Sequence, residues 1–174
     1  LGMPDGAFAV VLPKLAEPGP FGAEDVAFHV SLNKGHPARP LARVASGGEL
    51  SRVMLALKTI LAKVDRTPTL VFDEVDAGIG GKVGLQVGDT LRRVADDHQV
   101  FAISHLPQLA ARAHHHIVVA KAAKGGVTTA DVTVLTGAPR VEEIARMLGG
   151  DPTSSVAKAH ARELLATGAS QAGS

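Results

Sequence analysis

Two adjacent carboxylates, Asp73 and Glu74, follow directly on the apolar run Thr69-Leu70-Val71-Phe72. A short apolar run without polar alternation suits a strand buried on both faces of a parallel sheet. Unpaired buried carboxylates are costly, so the strand has to end there, with its carboxyl end opening into a solvated site. In open α/β sheets that edge is where ligands bind. The plain alternative makes Asp73 a loop cap and Glu74 a surface charge. A second group with chemical potential is Ser46-Gly47-Gly48-Glu49. Ser46 with Glu49 three residues on makes a capping box. Two glycines in a first helical turn cost roughly 1 kcal/mol each in helix stability, which capping leaves unexplained. Bare N–H groups at a helix N-terminus that must approach an anion closely would explain them. The third candidate is His105, just after the apolar stretch Val100-Phe101-Ala102-Ile103.

The elements that carry these residues can be read from periodicity. A helix from the Ser46 region to about Val64 places Leu50, Val53, Met54, Leu57, Ile60, Leu61 and Val64 on one apolar stripe. A helix over Lys82 to Ala95 has a stripe of Val83, Val87, Leu91 and Val94, with Gly84 and Gly88 one turn apart for close approach to a neighbour. Gln99 to Ser104 is then a second buried strand. Strand, helix and strand have the length of a right-handed crossover, which makes the two strands parallel. Asp73, Glu74, Ser104 and His105 therefore leave the sheet at one carboxyl edge, and a histidine beside a carboxylate pair is a site candidate.

The flanks are simpler. Residues 1–32 read as an antiparallel hairpin, with Phe8, Val10 and Leu12 alternating on one strand and Val26, Phe28, Val30 and Leu32 on the other. Between them, Pro13 and the stretch Glu17-Pro18-Gly19-Pro20-Phe21-Gly22 read as irregular, and Asn33 to Pro40 as a loop. Pro107 opens a short helix to about Arg112. His114, His115 and His116 would alternate faces in a strand and so cannot together chelate one metal. Ile117–Lys121 and Val127–Thr136 form a hairpin around Lys124-Gly125-Gly126. Short helices follow over Arg140–Leu148 and from Ser154 or Ser155 to about Leu165. The latter has Val156, His160, Leu164 and Leu165 on one side. Residues 1–166 read as one domain and 167–174 as a disordered tail.

Composition sets limits on function. The 174 residues are 45% apolar but hold no Trp, Tyr or Cys, so a core must rest on aliphatic side chains and disulfides are excluded. Eighteen basic and seventeen acidic residues give no electrostatic case for nucleic acid or membrane. There is no signal peptide and no apolar run long enough to span a bilayer, and a cytoplasmic location is expected. The chain begins at Leu1, as a piece of a longer protein would.

The order of helix start, carboxylate strand and strand-end histidine resembles the C-terminal half of an ATP-binding-cassette ATPase head. Ser46-Gly47-Gly48-Glu49 is similar to the signature motif, Leu70-Val71-Phe72-Asp73-Glu74 to Walker B, and His105 to the switch histidine. Asp73-Glu74-Val75-Asp76 resembles the SMC-like branch rather than transporters. Four longer stretches narrow the resemblance to the RecN family of bacterial DNA-repair ATPases. They are Ala45–Arg52, Phe72–Ile79, Ser104–Gln108 and Glu143–Gly150. The opening Leu1-Gly2-Met3 is similar to the point where that family's second coiled-coil arm re-enters the head. The pattern departs in two places. A Walker A loop, G-x-x-x-x-G-K-[ST], is absent, and in the family it lies in the N-terminal half. The last Asp of the D-loop falls here at Gly80, which leaves Asp76 as the remaining nearby acid, without an assigned role.

The resemblance implies a P-loop NTPase fold of α/β class, the C-terminal half of a head. It would have a mainly parallel sheet flanked by helices, with antiparallel hairpins. It also implies site roles. Asp73 would bind Mg²⁺, Glu74 would orient and deprotonate the attacking water, and His105 would contact the γ-phosphate. Ser46, Gly47, Gly48 and Glu49 would form the nucleotide-binding signature, facing ATP held on a second head. The implied partners are the N-terminal Walker A half, a second head in an ATP-dependent dimer, and DNA through the full-length protein. No membrane is implied, and the location is the nucleoid. Alternatives are a non-hydrolysing docking module of an SMC-like protein, or a transporter cassette fragment.

Overall fold

The computed structural model describes residues 2, 5–31, 35, 37–43, 46–124 and 127–169. Leu1, Met3, Leu32, Asn33, Ala45, Gly125, Gly126 and residues 170–174 lie outside the described residues, so the expectations that fall on them stand aside.

The chain opens with β1 (Ala7–Val11), β2 (Lys14–Gly19), β3 (Gly22–Glu24) and β4 (Ala27–Ser31). β1 pairs antiparallel with β4, from Ala7 opposite Ser31 to Val11 opposite Ala27, as the alternation requires. The segment expected to be irregular instead holds its own ribbon. β2 and β3 pair antiparallel, with Gly19 opposite Gly22 across the Pro20-Phe21 turn. Pro18 is tolerated because a two-stranded ribbon consists of edges, where a missing N–H leaves no ladder partner orphaned. β5 (Arg39–Pro40) adds to β4, inside the expected loop.

α1 (Gly47–Leu61), β6 (Thr69–Phe72), α2 (Gly81–Val94), β7 (Gln99–Ala102) and α3 (Pro107–Arg112) form the centre. β6 and β7 are parallel, with Leu70 opposite Val100 and Phe72 opposite Ala102, so the crossover reading holds. Its helix fills one face of the sheet. Leu70 and Phe72 pack with Val75, Val87, Leu91, Val94, Leu109 and Leu55 of α1. The strand is not buried on both faces, because Val71 is 66% exposed and Phe101 and Ile103 share that exposure. No described element covers that side.

Two further expectations need correction. The apolar stripe of α1 is fully buried only at Val53. Gly48, Arg52, Val53 and Leu55 are buried, whereas Leu50, Met54, Ile60, Leu61 and Val64 are exposed. The helix turns inward a face that carries an arginine, because Arg52 finds backbone acceptors there. The sheet is also not mainly parallel among the described residues. β6–β7 is the parallel pair, and the other ladders are antiparallel.

β8 (His116–Lys124) and β9 (Val127–Leu135) form a regular antiparallel ribbon. α4 (Gly137–Met147) begins three residues before the expected Arg140, since Pro139 is acceptable in a first turn. α5 (Ser155–Ala169) runs past Leu165 into the expected tail. Its end is fastened to the core: Arg112 Nη1 donates to Thr167 Oγ1 at 3.3 Å and Arg92 Nη1 to the Gly168 carbonyl at 3.3 Å. Its buried face carries Ala161 and Gly168 rather than Val156 and His160, which are exposed. Ala111, Ile144, Ala145 and Ala161 make this smaller second core. The close approach expected at Gly84 and Gly88 is against α3. A Cβ on Gly88 would come within 2.9 Å of Arg112 Cγ, and one on Gly84 within 3.3 Å of Leu106 Cδ1. This packing sets the height at which the β7–α3 connection, with His105, stands beside β6.

Candidate functional site

The site is built on the turn after β6. Asp73 and Glu74 are both exposed, so the carboxyl end of the strand does open to solvent. Asp73 Oδ1 accepts the Glu74 N–H at 2.9 Å. Glu74 has φ +54°, the one described non-glycine residue with positive φ. A glutamate in this left-handed region carries strain of order 1 kcal/mol, which surrounding contacts must hold in place.

Those contacts come from α1. Ser46 caps the helix, its Oγ accepting the Glu49 N–H at 3.2 Å, so the capping reading of Ser46 is realised in the fold. Gly47 and Gly48 face the carboxylate turn of the same chain. A Cβ on Gly47 would lie 2.6 Å from Glu74 Oε2, and one on Gly48 would lie 2.8 Å from the Glu74 carbonyl and 2.7 Å from Ala77 Cβ. Close backbone approach therefore accounts for the glycines. The approach also places a negative charge beside a helix N-terminus, where the aligned dipoles favour it. The next two residues complete the grip. Ser51 Oγ donates to the Asp73 carbonyl at 2.7 Å, and Arg52 Nη1 donates to the carbonyls of Val75 (3.3 Å) and Ala77 (2.8 Å).

His105 joins the site through Asp76. Asp76 is 2% exposed. Its Oδ2 accepts from Ser104 Oγ at 2.6 Å and from the backbone N–H of His105 at 2.9 Å and Leu106 at 3.3 Å. The His105 ring lies with Nδ1 3.1 Å from the same oxygen, while the side chain remains 76% exposed. The structure thus brings Gly47, Gly48, Glu74 and Asp73 together, and attaches His105 to the same turn by way of Asp76.

Sequence reasoning missed Ser51 and Arg52 as positioning residues and left Asp76 open. The available signal was Arg52 itself, a charge between Ser51 and Val53 near the start of an otherwise apolar helix. The histidine run divides: His114 and His115 are exposed and His116 is buried at the start of β8. Burial, reinforced by the positive charge of Arg140, holds the His116 imidazole below its ordinary pKa, with Glu143 opposing. Among the described residues no group of three or more His, Cys, Asp or Glu is placed to hold a metal ion. Mg²⁺ needs no such cage, since it keeps several waters and is bound by one or two carboxylates plus substrate phosphates. The exposed Asp73 carboxylate fits that mode.

Comparison with known proteins gives this geometry relatives. The chain is 54% identical over 166 residues to the DNA repair protein RecN of Deinococcus radiodurans, covering 95% of the chain and 29% of that protein. It is 51% identical to RecN of Treponema pallidum (88% and 27% covered) and 50% identical to RecN of Streptomyces coelicolor (86% and 26%). By sequence, the chain is similar to these RecN proteins. It matches the C-terminal part of those proteins and spans less than a third of their length. No protein-family model matches the chain.

The fold of the chain is that of SMC ATPase heads, a P-loop NTPase fold. The Smc head domain of Pyrococcus yayanosii, with its coiled coil and joint, superposes with TM-score 0.60 at 20% identity, over 83% of this chain and 26% of that one. An SmcHead bound to the C-winged helix domain of ScpA gives 0.53 at 22% identity, over 76% and 38%. A structure from work on ATP-driven dimerization and DNA-stimulated activation of SMC ATPases gives 0.51 at 19% identity, over 83% of each chain. Among the described residues, no helix is long and apolar enough to cross a membrane.

Proposed function

We propose that this chain is the C-terminal lobe of an SMC-like ATPase head acting in DNA double-strand-break repair in the cytoplasm, at the nucleoid. In this reading it hydrolyses ATP once an N-terminal lobe supplies the Walker A loop. The carrying observation is the convergence of the α1 N-terminus, the Asp73-Glu74 turn and the Asp76-bound His105 at one edge of the β6–β7 pair.

Hydrolysis of a phosphoanhydride by water needs charge neutralisation, an aligned nucleophile and a proton acceptor. Asp73 would hold Mg²⁺, which when bound spreads the charge of the phosphates. Glu74, exposed beside the α1 N-terminus, accepts the proton of the attacking water. His105 presents an exposed ring toward the γ-phosphate. The first turn of α1 has N–H groups with no intrahelical acceptor. Ser46, Gly47, Gly48 and Glu49 at that end form the surface that meets ATP on a second head, so nucleotide bridges two heads and stabilises their dimer by mass action. DNA is engaged by the full-length protein.

The exposed face of β6–β7 and the uncovered stripe of α1 support completion by another lobe. The test is ATP turnover by this chain joined to a Walker A lobe, compared with the same assembly carrying Glu74→Gln. Loss of turnover in the variant supports hydrolysis. Absence of turnover in the parent would favour a docking module that hydrolyses nothing.

A further inference from the structure

The β6–α2 turn contains a buried acid that the hydrolytic scheme does not use. Asp76 lies three residues beyond Asp73, is nearly sealed from solvent, and directs its Oδ2 into the β7–α3 connection rather than toward the exposed edge. We propose that Asp76 is the positioning residue of His105: it fixes the ring as the Nδ1–H tautomer and turns Nε2 outward. This rests on the reading of His105 as the γ-phosphate contact.

The chemistry of the donors leads there. An ionised carboxylate only accepts hydrogen bonds. Three of the groups on Oδ2 are unambiguous donors, the Ser104 hydroxyl and the N–H groups of His105 and Leu106. The fourth contact, His105 Nδ1 at 3.1 Å, is attractive only if that nitrogen carries the proton. The other ring nitrogen is then left unprotonated in the neutral ring, and it belongs to the exposed part of the side chain. A histidine whose working nitrogen is set by a carboxylate on the other is a recurrent arrangement in metal and catalytic sites.

The acid is itself held. Arg52 donates to the carbonyls on both sides of it, Val75 and Ala77, and Ser51 holds Asp73. The second turn of α1 therefore fixes the backbone from which Asp76 projects. Ser104 adds a further tie, its Oγ also accepting the Leu106 N–H at 3.0 Å. A carboxylate that merely capped the loop would have its needs met by Ser104 and the two backbone donors. The ring contact adds orientation, and tautomer is the property that separates the two roles.

The deciding experiment is ¹⁵N NMR of the histidine-labelled protein across a pH series, read on the neutral form of the ring that the spectra themselves identify. The expected result is a proton on Nδ1 of His105. A His105 ring found as Nε2–H, the form a free imidazole prefers, overturns the proposal without any mutation. Asp76→Asn then tests cause. All four contacts fall on one oxygen, so an amide oxygen in that place keeps the backbone donors while the charge that holds the Nδ1–H is lost, and the share of His105 in the Nδ1–H form is expected to fall with the loop in place. In the head completed with a Walker A lobe, Asp76→Asn is expected to lower turnover by about 10–100-fold, the usual range for outer-shell partners, with ATP affinity within a few-fold of the parent. A His105 tautomer balance unchanged in Asp76→Asn, or undiminished turnover, would overturn the positioning role. A parent head without turnover would remove the hydrolytic reading, and the tautomer would still decide whether Asp76 sets the ring.

Discussion

Gly47 and the side chain of Glu74 share one small space: a Cβ on Gly47 would stand 2.6 Å from Glu74 Oε2. The neighbouring Gly48 meets backbone instead, the Glu74 carbonyl at 2.8 Å, as well as Ala77 Cβ at 2.7 Å. The two alanine substitutions therefore differ. In Gly47→Ala the obstructing atom is the end of a flexible side chain, so the protein folds and the carboxylate moves aside. A displacement of about 1 Å at a proton acceptor can cost on the order of 10²-fold in rate. Gly48→Ala has no such escape and is expected to destabilise the fold by about 1–3 kcal/mol, as overpacked cores do. Chemical denaturation of both variants, with ATP turnover in the completed head, checks the pair. Equal stability losses would mean that the Glu74 side chain cannot yield.

Glu74→Gln keeps the size and hydrogen bonding of the side chain and removes the base. In the completed head, ATP binding is expected to persist while turnover falls by roughly two or more orders of magnitude, and ATP-dependent dimers accumulate. Steady-state hydrolysis and size-exclusion chromatography with ATP make the measurement. Turnover within a few-fold of the parent would remove Glu74 from the role of base.

Ser46 has a demonstrated cap and a proposed nucleotide contact, and Ser46→Asp divides them. Aspartate caps helices about as well as serine, and an acid at a helix N-terminus is favourable, so thermal stability is expected to hold. Facing a γ-phosphate, the same charge repels, and ATP-driven dimerisation is expected to disappear. Dimerisation at the parental level would leave Ser46 as a cap alone.

How far the sequence disclosed this protein depended on which physical signal each feature carries. The parallel β6–β7 pair was legible because a strand–helix–strand of that length admits one handed connection. The α2 face and the glycine approach to α3 were legible because local periodicity and burial agree there. The α1 face was not, because most of its apolar stripe is exposed, while its buried side holds Arg52, whose backbone acceptors are more than twenty residues away. The Lys14–Glu24 ribbon was hidden by prolines that forbid central strands but not edges. Asp73 and Glu74 announced themselves by ending an apolar run. Asp76, two residues further on, gave no sign in the sequence that it would be buried and bound to the His105 loop.

His116 makes folding stability depend on pH. Its side chain is 8% exposed, and its Nδ1 has no hydrogen-bond partner. Burial first and Arg140 second hold its pKa below the ordinary 6.5, against the opposing pull of Glu143. The folded state thus binds fewer protons than the unfolded chain below about pH 6.5, and stability falls as the pH drops from there toward the lowered folded value. His116→Phe removes the titrating group while keeping a buried ring. The difference in unfolding free energy between parent and variant is expected to change between about pH 7 and pH 5 in favour of the variant. Denaturant titrations at both ends of that range measure it, and a constant difference would contradict the burial argument.

The apolar surface left by β6, β7 and α1 predicts what the chain can do by itself. Val71, Phe101 and Ile103 are exposed on the sheet, and Ile60 and Val64 stand open at the end of α1. A face of this kind marks an interaction site or an aggregation liability. The Walker A loop, which supplies the lysine and most backbone N–H groups for the β- and γ-phosphates, is absent from the sequence. Alone, the chain is expected to bind ATP weakly, to hydrolyse none, and to self-associate through this face. Supplying the N-terminal lobe, in trans or through a short linker, is expected to protect the amides of β6 and β7 from hydrogen exchange and to create the nucleotide site in the same step. Calorimetry with ATP and Mg²⁺ on the isolated chain is the decisive control. Micromolar binding there would mean that the phosphates are held by groups other than a Walker A loop, and that this chain is not half of a head.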